Sequence, residues 1–127
     1  MSVARSKRIL IVDDDPDTVT YLGAFLEDHG YEVATAGDGR QGMRAILDAR
    51  PDLVLMDLMM PNQNGMQLYR DIRHSEALAR LPVIVITGMA DFQLFGHACV
   101  LLPDPAARID KPPDLEALLH AVEQALS

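Results

Sequence analysis

Three consecutive aspartates, Asp13, Asp14 and Asp15, follow the apolar run ILIV, and Asp57 closes a second apolar run, LVLM. Thr87 ends a third run, VIVI, and Lys111-Pro112 follows the short stretch ARID. Carboxylates gathered within a few ångströms cannot all stay ionised unless a cation compensates them. All-oxygen ligation of that kind suits magnesium, which keeps several waters and accepts phosphate oxygens. Lysine is scarce here: Lys7 and Lys111 are the lysines, and the other cationic side chains are arginines. A compact ammonium beside a carboxylate site is a natural phosphoryl contact, although arginine can serve too. Singly, each residue has a plain structural role. Asp15 before Pro16 caps a helix, Asp57 caps a turn, Thr87 ends a strand and Lys111 is solvated. Found together at the ends of separate apolar runs, they are harder to explain in that way.

The elements that must position them alternate in period. Lys7–Asp13 is a short apolar run, as in a strand buried on both faces. Asp15 and Pro16 open a helix whose stripe is Val19, Leu22, Phe25 and Leu26, with Gly30 placed to end it. Tyr31–Ala36 alternates like a strand. Asp38–Arg50 reads as a helix with Met43, Ile46 and Leu47 inward, limited by Pro51. Leu53–Asp57 is a second buried strand, followed by the turn-rich MMPNQNG and a short helix over Met66–His74. Val83–Thr87 is β-branched and strand-like, Ala107–Ile109 is a weaker candidate, and Asp114 caps a helix with Leu115, Leu118, Leu119, Val122 and Leu126 on one stripe. This alternation predicts an α/β fold, a doubly wound parallel sheet with helices on both faces. In such a sheet ligands bind beyond the carboxyl ends of the strands, where the residues named above stand.

The chain has 127 residues, 49% of them apolar and 24% charged, which suits one globular domain over 7–127 behind a tail of residues 1–6. Disordered and collagen-like classes are excluded by that composition. No apolar run approaches the roughly 20 residues of a membrane span, and MSVARSKR lacks an export-type apolar stretch after it. The lone Cys99 excludes an internal disulfide, suits a reducing cytoplasm and reads as a small apolar side chain. His29, His74, His97 and His120 show no metal-ligand spacing. A net charge of −8 disfavours nucleic-acid binding by this domain.

The motifs ILIVDDDP, PDLVLMDLMMPNQNG, LPVIVITG and IDKPPDLEALL stand in the order and approximate spacing of a known family. Over residues 7–126 the chain resembles the receiver domain of two-component response regulators. The resemblance implies a flavodoxin-like sheet of five strands in the order 2-1-3-4-5 with five helices. It also implies that Asp57 is the phosphoacceptor, that Asp13 and Asp14 organise Mg2+, and that Asp14, Asp57 and the backbone carbonyl of Met59 bind the ion. Thr87 and Lys111 would contact the phosphoryl group, and the Lys111-Pro112 bond would be cis. The implied partner is a histidine kinase or phosphotransfer protein, and the implied output surface is the face of the family's fourth helix, fifth strand and fifth helix.

The pattern departs from the family between Thr87 and Lys111. Pro103-Asp104-Pro105 replaces the usual Ala-Gly-Ala, Arg108 stands where the family has its switch aromatic, and Pro113 replaces a phenylalanine. Met59 and Met89, two residues past Asp57 and Thr87, are apolar and cannot orient a water, which predicts a long-lived phosphoryl group. Asp91–Leu102 read as a helix is apolar nearly all round, which predicts a homodimer through that face. Two rival readings remain. One is a receiver-shaped interaction module that is never phosphorylated. The other is a haloacid-dehalogenase-like phosphatase, suggested by Asp15-Pro16-Asp17-Thr18-Val19.

Overall fold

Five parallel strands in the order β2-β1-β3-β4-β5 form the centre of the molecule, in a computed structural model that describes residues 6–57, 60, 64–87, 106–110 and 113–127. The strands are β1 (Arg8–Val12), β2 (Glu32–Ala36), β3 (Leu53–Asp57), β4 (Val83–Thr87) and β5 (Ala107–Asp110). Among the described residues the helices are α1 (Pro16–Asp28), α2 (Gly39–Ala49), α3 (Asn64–His74) and α4 (Leu115–Leu126). The expected strand order is therefore observed. The expected helix over Asp91–Leu102, with the dimer face assigned to it, lies outside the described residues.

Both faces of the sheet are covered, so its strands are apolar at successive positions instead of every second one. Leu10, Val12, Val54, Met56, Val83 and Val85 meet Ile46 of α2 and Leu68, Tyr69 and Ile72 of α3. Ile9, Ile11, Leu53, Leu55, Ile84 and Ile86 meet Leu22 and Leu26 of α1 and Leu118 and Val122 of α4.

The helices begin where a side-chain acceptor meets the unpaired amides of the first turn. Asp15 accepts from the Asp17 amide at 3.1 Å and the Thr18 hydroxyl at 2.8 Å, with Pro16 following. Asp38 accepts from the Gln41 amide at 2.8 Å while Gln41 accepts from Gly37 at 3.0 Å. Asp114 receives the amides of Glu116 and Ala117. Gly30 follows α1 at φ 90°, a conformation glycine adopts without a Cβ penalty.

One inward assignment is corrected. Leu47 is 61% exposed, whereas Ile46, Gly42 and Gly39 are the buried residues of α2. At 100° per residue Leu47 falls on the flank of the helix, because Gly42 has drawn the face centred on 39, 42 and 46 down onto the sheet. A Cβ at Gly42 would lie 2.8 Å from Leu68 Cδ2 and 3.2 Å from Val12 Cγ2.

The amino-end edge of the sheet is tied together by Arg8. Its guanidinium pairs with Glu32 at 3.0 Å and donates to the Ala49 carbonyl at the end of α2, and its amide donates to Asp52 at 2.8 Å. The neighbouring Lys7 carbonyl accepts from the Glu32 amide. α4 starts at the opposite, carboxyl-end edge and runs back toward this one.

Candidate functional site

The strand register brings the aspartates together before any side chain is considered. Val12 pairs with Met56, so the next residues along β1 and β3 are Asp13 and Asp57. Both continue the alternating columns 9-11-13 and 53-55-57, which lower down carry Ile9, Ile11, Leu53 and Leu55 of the α1–α4 face. The Asp13 amide donates to Ala36 at 3.1 Å, extending the β1–β2 ladder by one residue. Its carboxylate accepts from the Asp15 amide at 2.9 Å, which turns the chain into α1.

Asp13 and Asp57 are buried at 5% and 4% exposure, while Asp14 is exposed. Each of Asp13, Asp14 and Asp57 offers a carboxylate oxygen, and these oxygens lie within 4.8 Å of one another. Two buried carboxylates beside an open third make a donor set of hard oxygens with one side toward solvent. That set is of the donor type that suits a small divalent cation which retains water, such as Mg2+. Beside it lies a hollow of about 240 Å³ lined by Asp13, Asp14, Pro16, Val19, Thr20, Thr35, Ala36 and Gly37. Thr20 and Thr35 were not among the sequence candidates. The pairing of β2 beside β1 brings Thr35 here, and the start of α1 brings Thr20.

The remaining candidates are placed by backbone or not at all. Thr87 is the last residue of β4, one step past the Ile86 that pairs with Asp57, and it pairs with Asp110. Arg108 lies within β5 opposite Val85. The side chains of Thr87 and Arg108 lie outside the described residues, as do Met59, Met89, Lys111 and the Lys111-Pro112 bond. Asp15 is a helix cap, so the first aspartate of the dehalogenase-like motif is already engaged in holding α1. His29, His74 and His120 are exposed. Among the described residues no helix is long and apolar enough to cross a membrane.

Comparison with known proteins agrees with this geometry. The family profile of the response regulator receiver domain matches residues 9–123. Protein Rrf1 of Nitratidesulfovibrio vulgaris is 31% identical over 120 residues, covering 94% of this chain and 83% of Rrf1. The DNA-binding response regulator MtrA of Mycolicibacterium smegmatis is 41% identical over 85 residues, covering 67% of this chain and 36% of MtrA, about a third of its length. The structure of the chemotaxis response regulator CheY4 of Vibrio cholerae superposes with a TM-score of 0.82 at 27% identity, covering 96% of this chain and 100% of CheY4. With a matched profile over nearly its whole length and the parallel sheet that positions its carboxylates, the chain belongs to the response regulator receiver domain family.

Proposed function

We propose that this domain accepts a phosphoryl group on Asp57 from the phosphohistidine of a histidine kinase or phosphotransfer protein. A carboxylate oxygen of Asp57 attacks phosphorus; the new P–O bond forms as the P–N bond to the imidazole breaks, and the ring nitrogen keeps the electron pair. The observation that carries the reading is the convergence of Asp13, Asp14 and Asp57 at the carboxyl ends of β1 and β3. Asp13 and Asp14, with Asp57 and the Met59 carbonyl, would hold Mg2+. The bound ion supplies positive charge that offsets the charge spread over the phosphoryl oxygens. Asp13 also holds the turn into α1, so the acidic pair keeps its place relative to Asp57. Thr87 and Lys111 complete the phosphoryl contacts in this reading. The phosphorylated state is read by a partner on the face that includes β5 and α4, together with the segment between β4 and β5.

The domain is a phosphoacceptor in the cytoplasm and not a turnover enzyme, and it does not itself bind nucleic acid. DNA binding would belong to an effector domain of the kind named for MtrA, of which this chain matches about a third. Incubation with acetyl phosphate and Mg2+ should add the mass of one phosphoryl group to the intact protein. Asp57→Asn and omission of Mg2+ should each abolish the gain. Undiminished labelling of Asp57→Asn places the acceptor elsewhere, and no labelling of the wild type leaves the unphosphorylated interaction module as the better account. Steady release of phosphate from a phosphomonoester would instead favour the phosphatase reading. The phosphoryl group should be long-lived, and Met59→Asn or Met89→Glu should speed its loss, as followed by the decay of the phosphorylated mass.

A further inference from the structure

The large apolar side chains exposed among the described residues are Tyr21 of α1, at 57%, and Leu47 of α2, at 61%. They stand on opposite sides of the sheet, since α1 packs on one face with α4 and α2 packs on the other with α3. Leu47 borders a furrow. Gly39, Arg40, Met43, Gln67, Leu68 and Asp71 line a hollow of about 210 Å³ between α2 and α3. Further down the same crevice Ile46, Leu47, Arg50, Pro51, Leu78 and Leu81 border one of about 480 Å³. The floor is apolar, and exposed Arg40, Arg44 and Arg50 stand along the α2 bank. Asp71, on the other bank, accepts a hydrogen bond from Gln67 at 2.9 Å. Asp48 on α2 and Glu76 and Arg80 after α3 are exposed as well, and Arg73 of α3 donates to the Leu81 carbonyl at 2.9 Å.

The outer face of α1 has the opposite character. Asp17, Thr20, Tyr21, Ala24, Glu27 and Asp28 are all exposed. Asp17, Tyr21, Ala24 and Asp28 follow the i, i+4, i+7 spacing of a helix that lies in a groove. α1 and α4 carry Asp17, Glu27, Asp28, Glu116 and Glu123 and hold neither lysine nor arginine. Ala24 permits close approach, and a tyrosine suits a pocket with an apolar floor and a wet rim.

We propose that the domain associates head to tail with a second copy of itself, α1 of one copy seating Tyr21 in the α2–α3 furrow of the next. The acidic stripe then meets Arg40, Arg44 and Arg50. Each copy offers two different faces, so the contact is heterologous and does not saturate at two chains. The net charge of −8 opposes approach at long range but is screened beyond about 8 Å at physiological ionic strength, while the local pairs are in contact. The contact is accordingly weak, and it shows at high protein concentration. It uses none of the residues assigned to phosphoryl chemistry, so it stands or falls apart from the proposed function.

Sedimentation velocity from micromolar to millimolar protein tests this. The wild type should show a sedimentation coefficient that rises with concentration past the dimer value. Tyr21→Asp and Leu47→Asp, both at exposed positions, should each weaken association at least about tenfold. An equimolar mixture of the two variants should form a dimer that stops at two, because one intact face of each kind remains. Tyr21→Ser and Leu47→Ser serve as the pair if thermal melting shows either aspartate variant to be unfolded. A wild type that stays monomeric at millimolar concentration overturns the proposal. So does a wild type that saturates at two chains and ignores both substitutions, or a mixture that fails to dimerise.

Discussion

Asp13 and Asp14 are neighbours of identical type, yet one is buried and the other faces solvent. The sequence shows three adjacent aspartates with nothing to rank them. The structure ranks them: Asp13 follows β1 on the α1–α4 face and its carboxylate holds the turn, Asp14 lies exposed beyond the strand end, and Asp15 caps α1. Their gathering with Asp57 was legible because two apolar runs of similar length ended in acids, and parallel strands end together. The hollow bordered by Thr20 and Thr35 was not legible, since it depends on how β2 pairs with β1 and how α1 packs beside them. Without a cation the three carboxylates repel one another, and at the effective dielectric of such sites a pair a few ångströms apart is worth up to a few kcal/mol. Asp57→Asn should therefore stabilise the protein in EDTA by about 1 kcal/mol, read from the urea midpoint. Mg2+ should stabilise the wild type and do little for the variant, because a ligand bound only by the native state adds to native stability. Equal stabilisation of both by Mg2+ would place the ion away from Asp57.

Elements were legible where one period dominated. β1 and β3 announce themselves as apolar runs, and α4 as a stripe behind Asp114. α2 was read with its axial rotation wrong by one residue, because Ile46 and Leu47 are equally apolar and only tertiary packing chooses between them. The choice is made at Gly42, whose missing side chain lets α2 settle against Val12 and Leu68. Gly23 is a different case, since a Cβ there would meet Val33 at an ordinary 3.6 Å. Gly23→Ala should stabilise by about 0.5–1 kcal/mol through helix propensity. Gly42→Ala gains the same propensity but forces a shift of buried neighbours costing about 1–3 kcal/mol, so it should come out net destabilised. Urea melts of the two variants side by side decide this. A contact between elements also has a pH signature. Burial, and secondarily the charge of Glu123 on α4, raise the Tyr31 phenol above its ordinary 10.0. The native state holds that proton more tightly, so its contribution is complete below pH 10 and is lost as pH rises through the native value. In alkaline melts the wild type should lose stability more steeply than Tyr31→Phe.

At the scale of the whole molecule, charge is distributed unevenly. α1 and α4 are acidic and hold neither lysine nor arginine, and α2 carries Arg40 and Arg44 with Arg50 just beyond it. The total of −8 was legible from composition, but its division between the two faces became legible only once the strand order put α1 beside α4. Self-repulsion of a net charge this large destabilises the compact state. Sodium chloride should raise the urea midpoint of the metal-free protein, steeply at low ionic strength and then levelling as screening saturates. A midpoint that falls with salt would mean that attractive pairs such as Arg8–Glu32 outweigh the repulsion.

The Arg8 network holds the entry to β1 at the amino-end edge, and α4, with 12 residues or about 18 Å of helix, returns the chain to that same pole. A bead linker, a fluorophore or a fusion partner attached at Ser6 or Ser127 is therefore anchored at the pole opposite Asp57. Tethered by either of these positions to a sensor chip, the domain would present its carboxylates outward, and immobilised protein should take up acetyl phosphate as readily as protein in solution.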